Sequence, residues 1–236
     1  MPIVTVSRQL ASGGQDIAAG IAKALNLRFV DREIINRAAI QAGVPEMALH
    51  ELEYEGRRGV IEQIIDVLRA MPAIPPIDST RESEIRPPAT VPLSGIFTPP
   101  LPHVGTTMDD YVRIVGLVIL DLAKQGDVVI VGQAGQVLLK DRPDTLHLQV
   151  IASMSRRIKV LMEREGLTHR EATERITASD RARADYLRRY YGVNWLDPQL
   201  YDLVIRTDHI STHAAIQLVV NLIIERSLRD SLNREV

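Results

Sequence analysis

The chain has 236 residues, of which 45% are hydrophobic, and its formal net charge is −2. These values allow one α/β domain with a smaller appendage and give no reason to expect a nucleic-acid partner. The absence of Cys excludes disulfides and thiolate metal sites, the six His show no zinc spacing, and no metal-ligating residue is assigned. No apolar stretch of about 18 residues and no basic leader is present, so we expect a cytoplasmic protein without membrane contact.

The chain begins with a short apolar run at residues 3–6, followed by a turn of small residues at Ser12, Gly13 and Gly14. The run predicts a central parallel strand, and helical spacing from Ile17 predicts a helix directly after the turn. Such a loop presents backbone N–H groups and a helix N-terminus to an anion, so it predicts phosphate binding. A Walker A loop needs a Lys after its second Gly, and none is present. The alternative, an ordinary strand–turn–helix in which the glycines serve only packing, therefore remains open.

The residues around this turn read S-R-x-x-x-S-G-G-x-x-I-A, and they resemble the cytidylate kinase-like family, a Lys-less branch of the nucleoside monophosphate kinases. The resemblance implies a P-loop NTPase-like, doubly wound five-stranded parallel sheet in the order 2-3-1-4-5. It also implies a helical lid and a Pro-rich insertion on the acceptor side. Loop residues would hold the donor phosphates, and these are Ser7, Arg8, Ser12, Gly13, Gly14, Gln15 and Asp16.

The next segment predicts a short strand at residues 28–30, after which Asp31 is placed to cap a helix. The family carries an Asp and an Arg at this place, and Asp31 and Arg37 keep their spacing. The resemblance therefore implies that Asp31 and Arg37 bind the acceptor. The alternatives are that Asp31 is only a cap and that Arg37 faces solvent.

Helices are then predicted from residue 44 and over residues 60–68. The composition changes after them, because nine of the thirteen Pro lie between residues 71 and 103, without hydrophobic periodicity. This pattern predicts a long irregular loop of a kind that is usually functional or mobile. The resemblance implies that an arm at residues 55–107, containing the Pro-rich loop 71–103, covers the acceptor or a partner subunit.

A helix is predicted over residues 108–125, and residues 128–131 form the clearest buried strand of the sequence. Ligands of open α/β sheets gather at the carboxyl ends of strands, so Gly132 and Gln133 are expected beside the first loop. The family has Gly-Arg here, and its Arg meets the substrate phosphate, so the resemblance implies that Gly132 and Gln133 bind the substrate. Gln133 can hydrogen-bond but cannot neutralise a phosphate. Arg142 matches the family's D-R-P turn, and the resemblance implies a contact with the acceptor.

A strand is predicted at residues 146–151, and a helix is predicted to begin at Ser153. A capping box that starts at Thr168 predicts the N-terminus of a second, polar helix. Arg outnumbers Lys by 24 to 4, and nine Arg lie between residues 156 and 189. Arg suits phosphate recognition, although a high-GC genome and solvated helix faces explain the bias equally well. The resemblance implies a lid at residues 153–192, with four arginines that steady the transferred charge: Arg157, Arg181, Arg183 and Arg188.

The last strand is expected at residues 202–206, and Ser211 is expected to cap a closing helix. Together these elements predict a single domain over residues 1–236. The resemblance implies ATP-dependent phosphorylation of a nucleoside monophosphate, most simply CMP or dCMP, with Mg²⁺. One alternative is a weak or inactive nucleotide-binding protein with a regulatory role, assembled as a homodimer. A second is an oligomer whose Pro-rich arm is the functional surface.

Overall fold

The computed structural model describes residues 2–35 and 108–232, which form a five-stranded parallel sheet with helices on both faces. The strands are β1 (Ile3–Arg8), β2 (Arg28–Val30), β3 (Val128–Val131), β4 (Thr145–Ile151) and β5 (Leu203–Arg206). The helices are α1 (Gly14–Leu25), α2 (Met108–Gln125), α3 (Gly135–Leu138), α4 (Met154–Glu165), α5 (His169–Tyr191) and α6 (Thr212–Leu232).

The strand order is β2-β3-β1-β4-β5, which confirms the predicted order. The first strand is central, since Ile3 pairs in parallel with Val128 on one side and with Thr145 on the other. All four residues of β3 are buried, as expected for a parallel strand covered on both faces. The carboxyl ends of all five strands therefore meet at one edge of the sheet, where the loop after β1 begins.

Helices α1 and α6 cover one face of the sheet, and their buried side chains, such as Ile17 and Val219, pack with Val4 and Val6 of β1. Helix α3 lies on the opposite face, where Gly135 approaches the side chains of Thr5 and Ile130. Burying one such aliphatic side chain contributes about 1.5–3 kcal/mol, so these two layers hold the sheet rigidly beneath the loop.

The helix ends follow the local signals of the sequence. The hydroxyl of Ser153 accepts a hydrogen bond from the N–H of Arg156, and Thr168 and Glu171 form the expected capping box. Two short elements were not predicted: α3 and a 3₁₀ turn at Pro198–Leu200. A helix of three or four residues makes only about one turn, so it shows no repeat of apolar residues at helical spacing that the sequence could reveal.

Several predictions fall outside the described residues. They concern the helices from residue 44 and over residues 60–68, the arm at residues 55–107 with its Pro-rich loop 71–103, and Arg37. These remain predictions.

Candidate functional site

The loop between β1 and α1 is held by hydrogen bonds to its base. The hydroxyl of Ser12 donates to the carbonyl oxygens of Gln9, at 2.9 Å, and Val150, at 3.1 Å. Thr207 donates its hydroxyl to the carbonyl of Ser12 at 2.8 Å. The first N–H groups of a helix have no intrahelical acceptor, and in α1 the N-cap residue Gly13 has no side chain that could accept from them. The loop therefore presents a fixed, partially positive helix end.

Two glycines allow the loop to lie close against the sheet. Gly13 has a φ of +81°, a left-handed conformation that glycine adopts without a steric cost. A Cβ atom on Gly14 would lie 2.6 Å from the Cβ of Arg8 and 3.1 Å from the Cβ of Val150. The start of α1 thus touches β1 and β4 directly, and only glycine fits there.

Arg8, the last residue of β1, extends across this junction. Its Nη1 atom lies 3.4 Å from the position that a Cβ of Gly132 would occupy, so its guanidinium reaches the end of β3. Burial, followed by repulsion from Arg183, lowers the pKa of Arg8 to about 10, and attraction by Asp31 offsets part of this change. No ion pair joins Arg8 to an acid within residues 2–35 and 108–232.

Two arginines of the helical pair α4 and α5 share one carboxylate. The side chain of Arg157 is 5% exposed, and its Nη1 donates to Asp180 at 2.8 Å. Arg183 lies 3.7 Å from the other oxygen of Asp180, which is too long for a hydrogen bond. Arg157 Nε and Arg183 Nη1 are buried without a hydrogen-bond partner. Two cations thus face one anion, which leaves donors available for a second anion.

The guanidinium of Arg183 rests on the indole of Trp195, 5.0 Å from the ring centroid. The carbonyl of Trp195 accepts hydrogen bonds from the hydroxyl of Tyr201, at 2.6 Å, and from the amide of Gln149, at 2.8 Å. Burial raises the pKa of Tyr201, and a hydrogen bond with Ser7 of β1 opposes that rise. This network connects the end of β1 to the surface that supports Arg183.

Asp31 lies on the other side of the loop. One of its oxygens accepts the N–H of Ile34 at 3.0 Å, so Asp31 caps the helical turn at residues 32–35, as the sequence predicts. The other oxygen accepts the side-chain amide of Gln15 at 2.6 Å. Gln15 therefore joins the first turn of α1 to Asp31, while Asp16 of the same turn is exposed.

The chain leaves β3 through three consecutive residues with positive φ: Gly132 at +75°, Gln133 at +56° and Ala134 at +58°. Residues other than glycine rarely adopt this conformation, and such strain is concentrated at functional sites. The N–H of Gly132 donates to the carbonyl of Val6 at 2.9 Å, so this turn is fixed to β1 beside the loop. Gly132 and Gln133 thus lie at the expected edge of the sheet.

Three predicted site residues are not brought to the loop. Arg181 and Arg188 are 83% and 73% exposed, and each lies 3.7 Å from Asp185 on the solvent side of α5. Arg142 lies in the turn before β4, where it pairs with Asp144 at 2.6 Å. That turn lies at the amino end of the sheet, and the length of β1, about 20 Å, separates it from the loop. Arg142 takes no part in the site that we propose below.

The tip of the loop packs against the core of the helical pair. Ile158 and Leu161 of α4 pack with Ala172 and Ile176 of α5, and the loop residues Leu10 and Ala11 pack against this cluster. The sequence predicts a lid over phosphates, and the structure shows its helices in direct apolar contact with the loop.

The base of α4 is fixed by Asp208, which follows β5. Asp208 accepts hydrogen bonds from the N–H and the hydroxyl of Ser153 and from Nε of Arg206. The hydrogen bond from Ser153, followed by that from Arg206, lowers the pKa of Asp208 well below its usual range. The helical pair therefore starts from a charged anchor at the end of the sheet.

Sequence reasoning missed how these residues are connected. Asp180, Trp195 and Tyr201 are not among the predicted site residues, and nothing in their spacing shows that Arg157 and Arg183 share a carboxylate or that an indole supports Arg183. Gln149 is a polar residue in a buried strand, and buried amides require hydrogen-bond partners, so its presence in the sequence is a detectable signal of this network.

A model of the cytidylate kinase-like family matches residues 3–209. The cytidylate kinase of Sulfolobus acidocaldarius is 26% identical over 112 residues, which cover 48% of this chain and 61% of that enzyme. The uronate isomerase of Corynebacterium glutamicum is 32% identical over 102 residues, which cover 43% of this chain and 20% of the isomerase. The chain thus spans less than two thirds of the length of these relatives.

Among solved structures, an uncharacterized protein from Eubacterium ventriosum ATCC 27560 has a TM-score of 0.59 at 16% identity, and the match covers 94% of this chain and 98% of that one. A gluconokinase from Sinorhizobium meliloti 1021 has a TM-score of 0.50 at 9% identity, with 98% and 97% covered. These similarities show that the chain shares the fold of these two proteins.

Proposed function

Because the chain belongs to the cytidylate kinase-like family, we propose that it transfers the terminal phosphoryl group of ATP to a nucleoside monophosphate, with CMP or dCMP as the acceptor. The observation that carries this proposal is the arginine cluster, Arg8, Arg157 and Arg183, beside a backbone loop at the carboxyl edge of the sheet. Phosphoryl transfer depends mainly on positioning and on neutralising phosphate charge. The arginine cluster and the loop supply these two requirements.

In this proposal the donor phosphates lie on the N–H groups at the start of α1. Arg157 and Arg183 steady the transferred group, because their unpartnered N–H groups are positive, buried and held in place by Asp180 and Trp195. The acceptor lies on the side of Asp31 and Gly132. Arg181 and Arg188, which face solvent, contribute less to turnover than Arg183.

Mg²⁺ accompanies ATP in this proposal, and when bound it neutralises phosphate charge. Mg²⁺ in kinases usually takes one or two carboxylates together with substrate phosphates and water. The residues present fit this pattern, since Asp16 is exposed in the first turn of α1. Within the described ranges, no group of three or more acidic or His side chains could hold a metal alone. The ion would therefore arrive with the nucleotide.

A second candidate is a nucleotide-binding protein that does not turn over and acts as a regulatory homodimer. Two observations favour it. Each oxygen of the Asp31 carboxylate already accepts one hydrogen bond, from Gln15 or from the N–H of Ile34, so an acceptor would have to share this carboxylate with them. Gln133, at the end of β3, brings no positive charge to that side. This protein would bind ATP without transferring its phosphoryl group.

A coupled ADP-release assay across CMP, dCMP, UMP, AMP and GMP separates the two candidates. We expect turnover with a cytidine acceptor, and a fall in kcat of about 10²-fold or more for Arg183→Ala. Arg170→Ala is the matched control, since Arg170 lies on the same helix but is 86% exposed and pairs with Glu174. ATP binding without turnover for any acceptor would favour the regulatory protein. An equal fall in kcat for Arg183→Ala and Arg170→Ala would contradict a specific role of Arg183 in turnover.

For the residues that the structure describes, no helix is long and apolar enough to cross a membrane.

A further inference from the structure

Helix α6 has apolar side chains on both its inner and its outer side. The inner side packs on the sheet through buried residues such as Val219 and Ile223. The outer side carries Leu218, Ile224 and Leu228, all exposed, and Leu228, at 60%, is the most exposed large hydrophobic residue in the part of the chain that the structure describes. A surface helix normally turns polar residues outward, and a helix that is apolar all round is normally covered. The outer side of α6 therefore suits contact with another protein surface.

The two helices of the lid pair differ from α6 in this respect. Their exposed sides carry ion pairs between residues one helical turn apart, which are Lys159–Glu163 in α4 and Arg170–Glu174 and Arg181–Asp185 in α5. In α6 the pair Glu225–Arg229 lies towards the C-terminal end. Charged side chains thus cover the solvent side of α4 and α5, whereas the middle of α6 presents aliphatic and uncharged polar groups.

The residues on the outer side of α6 are arranged symmetrically about Asn221. Moving three, four and seven residues away from Asn221 in both directions gives the pairs Leu218 and Ile224, Gln217 and Glu225, and Ala214 and Leu228. All of these residues are exposed, and spacings of three, four and seven keep them on one side of the helix. In two α6 helices that run antiparallel and meet at Asn221, the members of each pair would stand at the same level.

The paired residues complement one another in size and charge. Leu228 would meet the small Ala214, and the amide of Gln217 would meet the carboxylate of Glu225. Asn221 would meet its own copy, and an asparagine at such a position fixes the register of paired helices. A parallel pair would instead place the two copies of Glu225 side by side, and like charges repel.

We propose that the outer side of α6 is a docking surface for a second copy of this chain, in a symmetric dimer whose two-fold axis passes beside Asn221. A two-fold interface uses the same patch on both subunits, so the patch must be self-complementary, and this one is. One helix face buries less than the roughly 1,200 Å² of a stable interface, so the dimer is reversible, with a Kd in the micromolar range. The proposal does not depend on phosphoryl transfer, and it gives a surface to the homodimer of the second candidate.

The attachment points of residues 36–107 favour a second copy over a segment of the same chain. The chain leaves the described part after β2, which is the edge strand farthest from β5. It returns at α2, which contacts α3 on the face of the sheet opposite α6. Residues 36–107 are thus joined to the fold away from α6, and neither they nor an unrelated protein would require symmetry about Asn221.

The first test measures the mass of the full chain by sedimentation velocity from about 1 to 200 μM, a range that brackets a micromolar Kd. We expect a monomer–dimer equilibrium in the wild type. Leu228→Glu should raise the Kd about a hundredfold or more, because a symmetric interface loses two leucines and gains two carboxylates. Leu117→Glu, at an exposed leucine of α2, is the matched control and should keep the wild-type Kd. Both positions are exposed, so the Tm of each variant should stay near that of the wild type.

The second test determines the register by cross-linking. The chain has no Cys, so Asn221→Cys introduces one thiol per copy at the proposed axis. Two Cβ atoms at the axis come close enough for a disulfide, whereas two copies of residue 217 would lie about 12 Å apart along antiparallel helices. Under mild oxidation, Asn221→Cys should therefore form a covalent dimer much faster than Gln217→Cys. A parallel pair would cross-link both variants alike.

Three results would overturn the inference: a wild type that stays monomeric at about 200 μM, an unchanged Kd in Leu228→Glu, or equal cross-linking of the two Cys variants. A monomer whose Tm falls in Leu228→Glu would assign the surface to a segment of the same chain. A dimer that only Leu117→Glu abolishes would place the interface on α2. None of these results bears on the proposed phosphotransferase, and a wild-type dimer that releases no ADP with any acceptor would refute that proposal and leave this one standing.

Discussion

Gly14→Ala should destabilise the protein, although the same change usually stabilises a helix. Gly14 is the first residue of α1, where Ala is favoured over Gly by up to about 1 kcal/mol. The new Cβ would lie 2.6 Å from the Cβ of Arg8 and 3.1 Å from that of Val150, against a normal carbon–carbon contact of about 3.5–4.0 Å. Both neighbours are Cβ atoms attached to strands, so rotating a side chain gives no relief. The start of α1 must therefore move away from the sheet.

Overpacking of this kind costs about 1–3 kcal/mol, so we expect a net loss of about 1–2 kcal/mol after the helix preference is subtracted. For a protein of this size, each kcal/mol lowers the Tm by about 2–4 °C. The shift of the loop should also weaken ATP binding. The assays are thermal unfolding by circular dichroism and calorimetric titration with ATP.

Gly20→Ala is the matched control within α1. Its Cβ would meet Cδ1 of Ile216 and lie 2.9 Å from Cγ1 of the same side chain, so Ile216 of α6 must shift and stability falls here as well. This overlap is with α6 and does not involve the loop or the strands. We expect its ATP affinity to equal that of the wild type. A Gly14→Ala protein as stable as the wild type, with the same ATP affinity, would refute the close contact between α1 and the strands.

Three further outcomes follow from the site. Asp180→Asn should cost about 3 kcal/mol in urea unfolding, because it leaves the guanidinium of Arg157 buried beside a neutral amide; a loss under 0.5 kcal/mol would contradict this. Trp195→Leu should lower kcat in the wild-type background but not in Arg183→Ala, because the indole of Trp195 acts by supporting the guanidinium of Arg183. A further fall in kcat in the double variant would show that Trp195 acts in another way. Asp208 has a lowered pKa, so its contribution to stability is present above its unfolded pKa of about 4 and is lost as the pH falls below it. The free energy of unfolding of Asp208→Asn should therefore fall less steeply than that of the wild type as the pH drops below about 4. An equal fall in both proteins would contradict the role of Asp208 as an anchor of α4.

The central strands could be predicted because they are short runs that are buried on both faces of the sheet, whereas the edge strands β2 and β5 are only partly buried. Residues 128–131 and 3–6 carry that pattern without ambiguity, and the structure confirms both. The strand order depends on long-range pairing, and it came from the family resemblance rather than from any local signal. The capping box at Thr168 was predictable because its two hydrogen bonds are local in sequence.

The arrangement of the site was less accessible from the sequence. Arg181 and Arg183 look alike in the sequence, but only Arg183 meets Trp195, and this contact depends on how a distant segment folds back. Arg142 matched a motif, whereas its place at the amino end of β4 follows from strand direction and register. Motif spacing fixes neighbours along the chain, and it does not say which edge of the sheet a turn occupies.

Leu10 and Ala11 pack against the core of α4 and α5, and this contact limits how the helical pair can move. A lid that opens on a hinge must be able to move without breaking apolar contacts with the rest of the protein. Here, moving α4 and α5 away from the loop would expose apolar surface of the loop and of both helices. Each exposed aliphatic side chain would cost about 1.5–3 kcal/mol, several times the thermal energy. The loop and the two helices should therefore move as one body, so their amide protons should exchange together and their lengths should vary together among relatives.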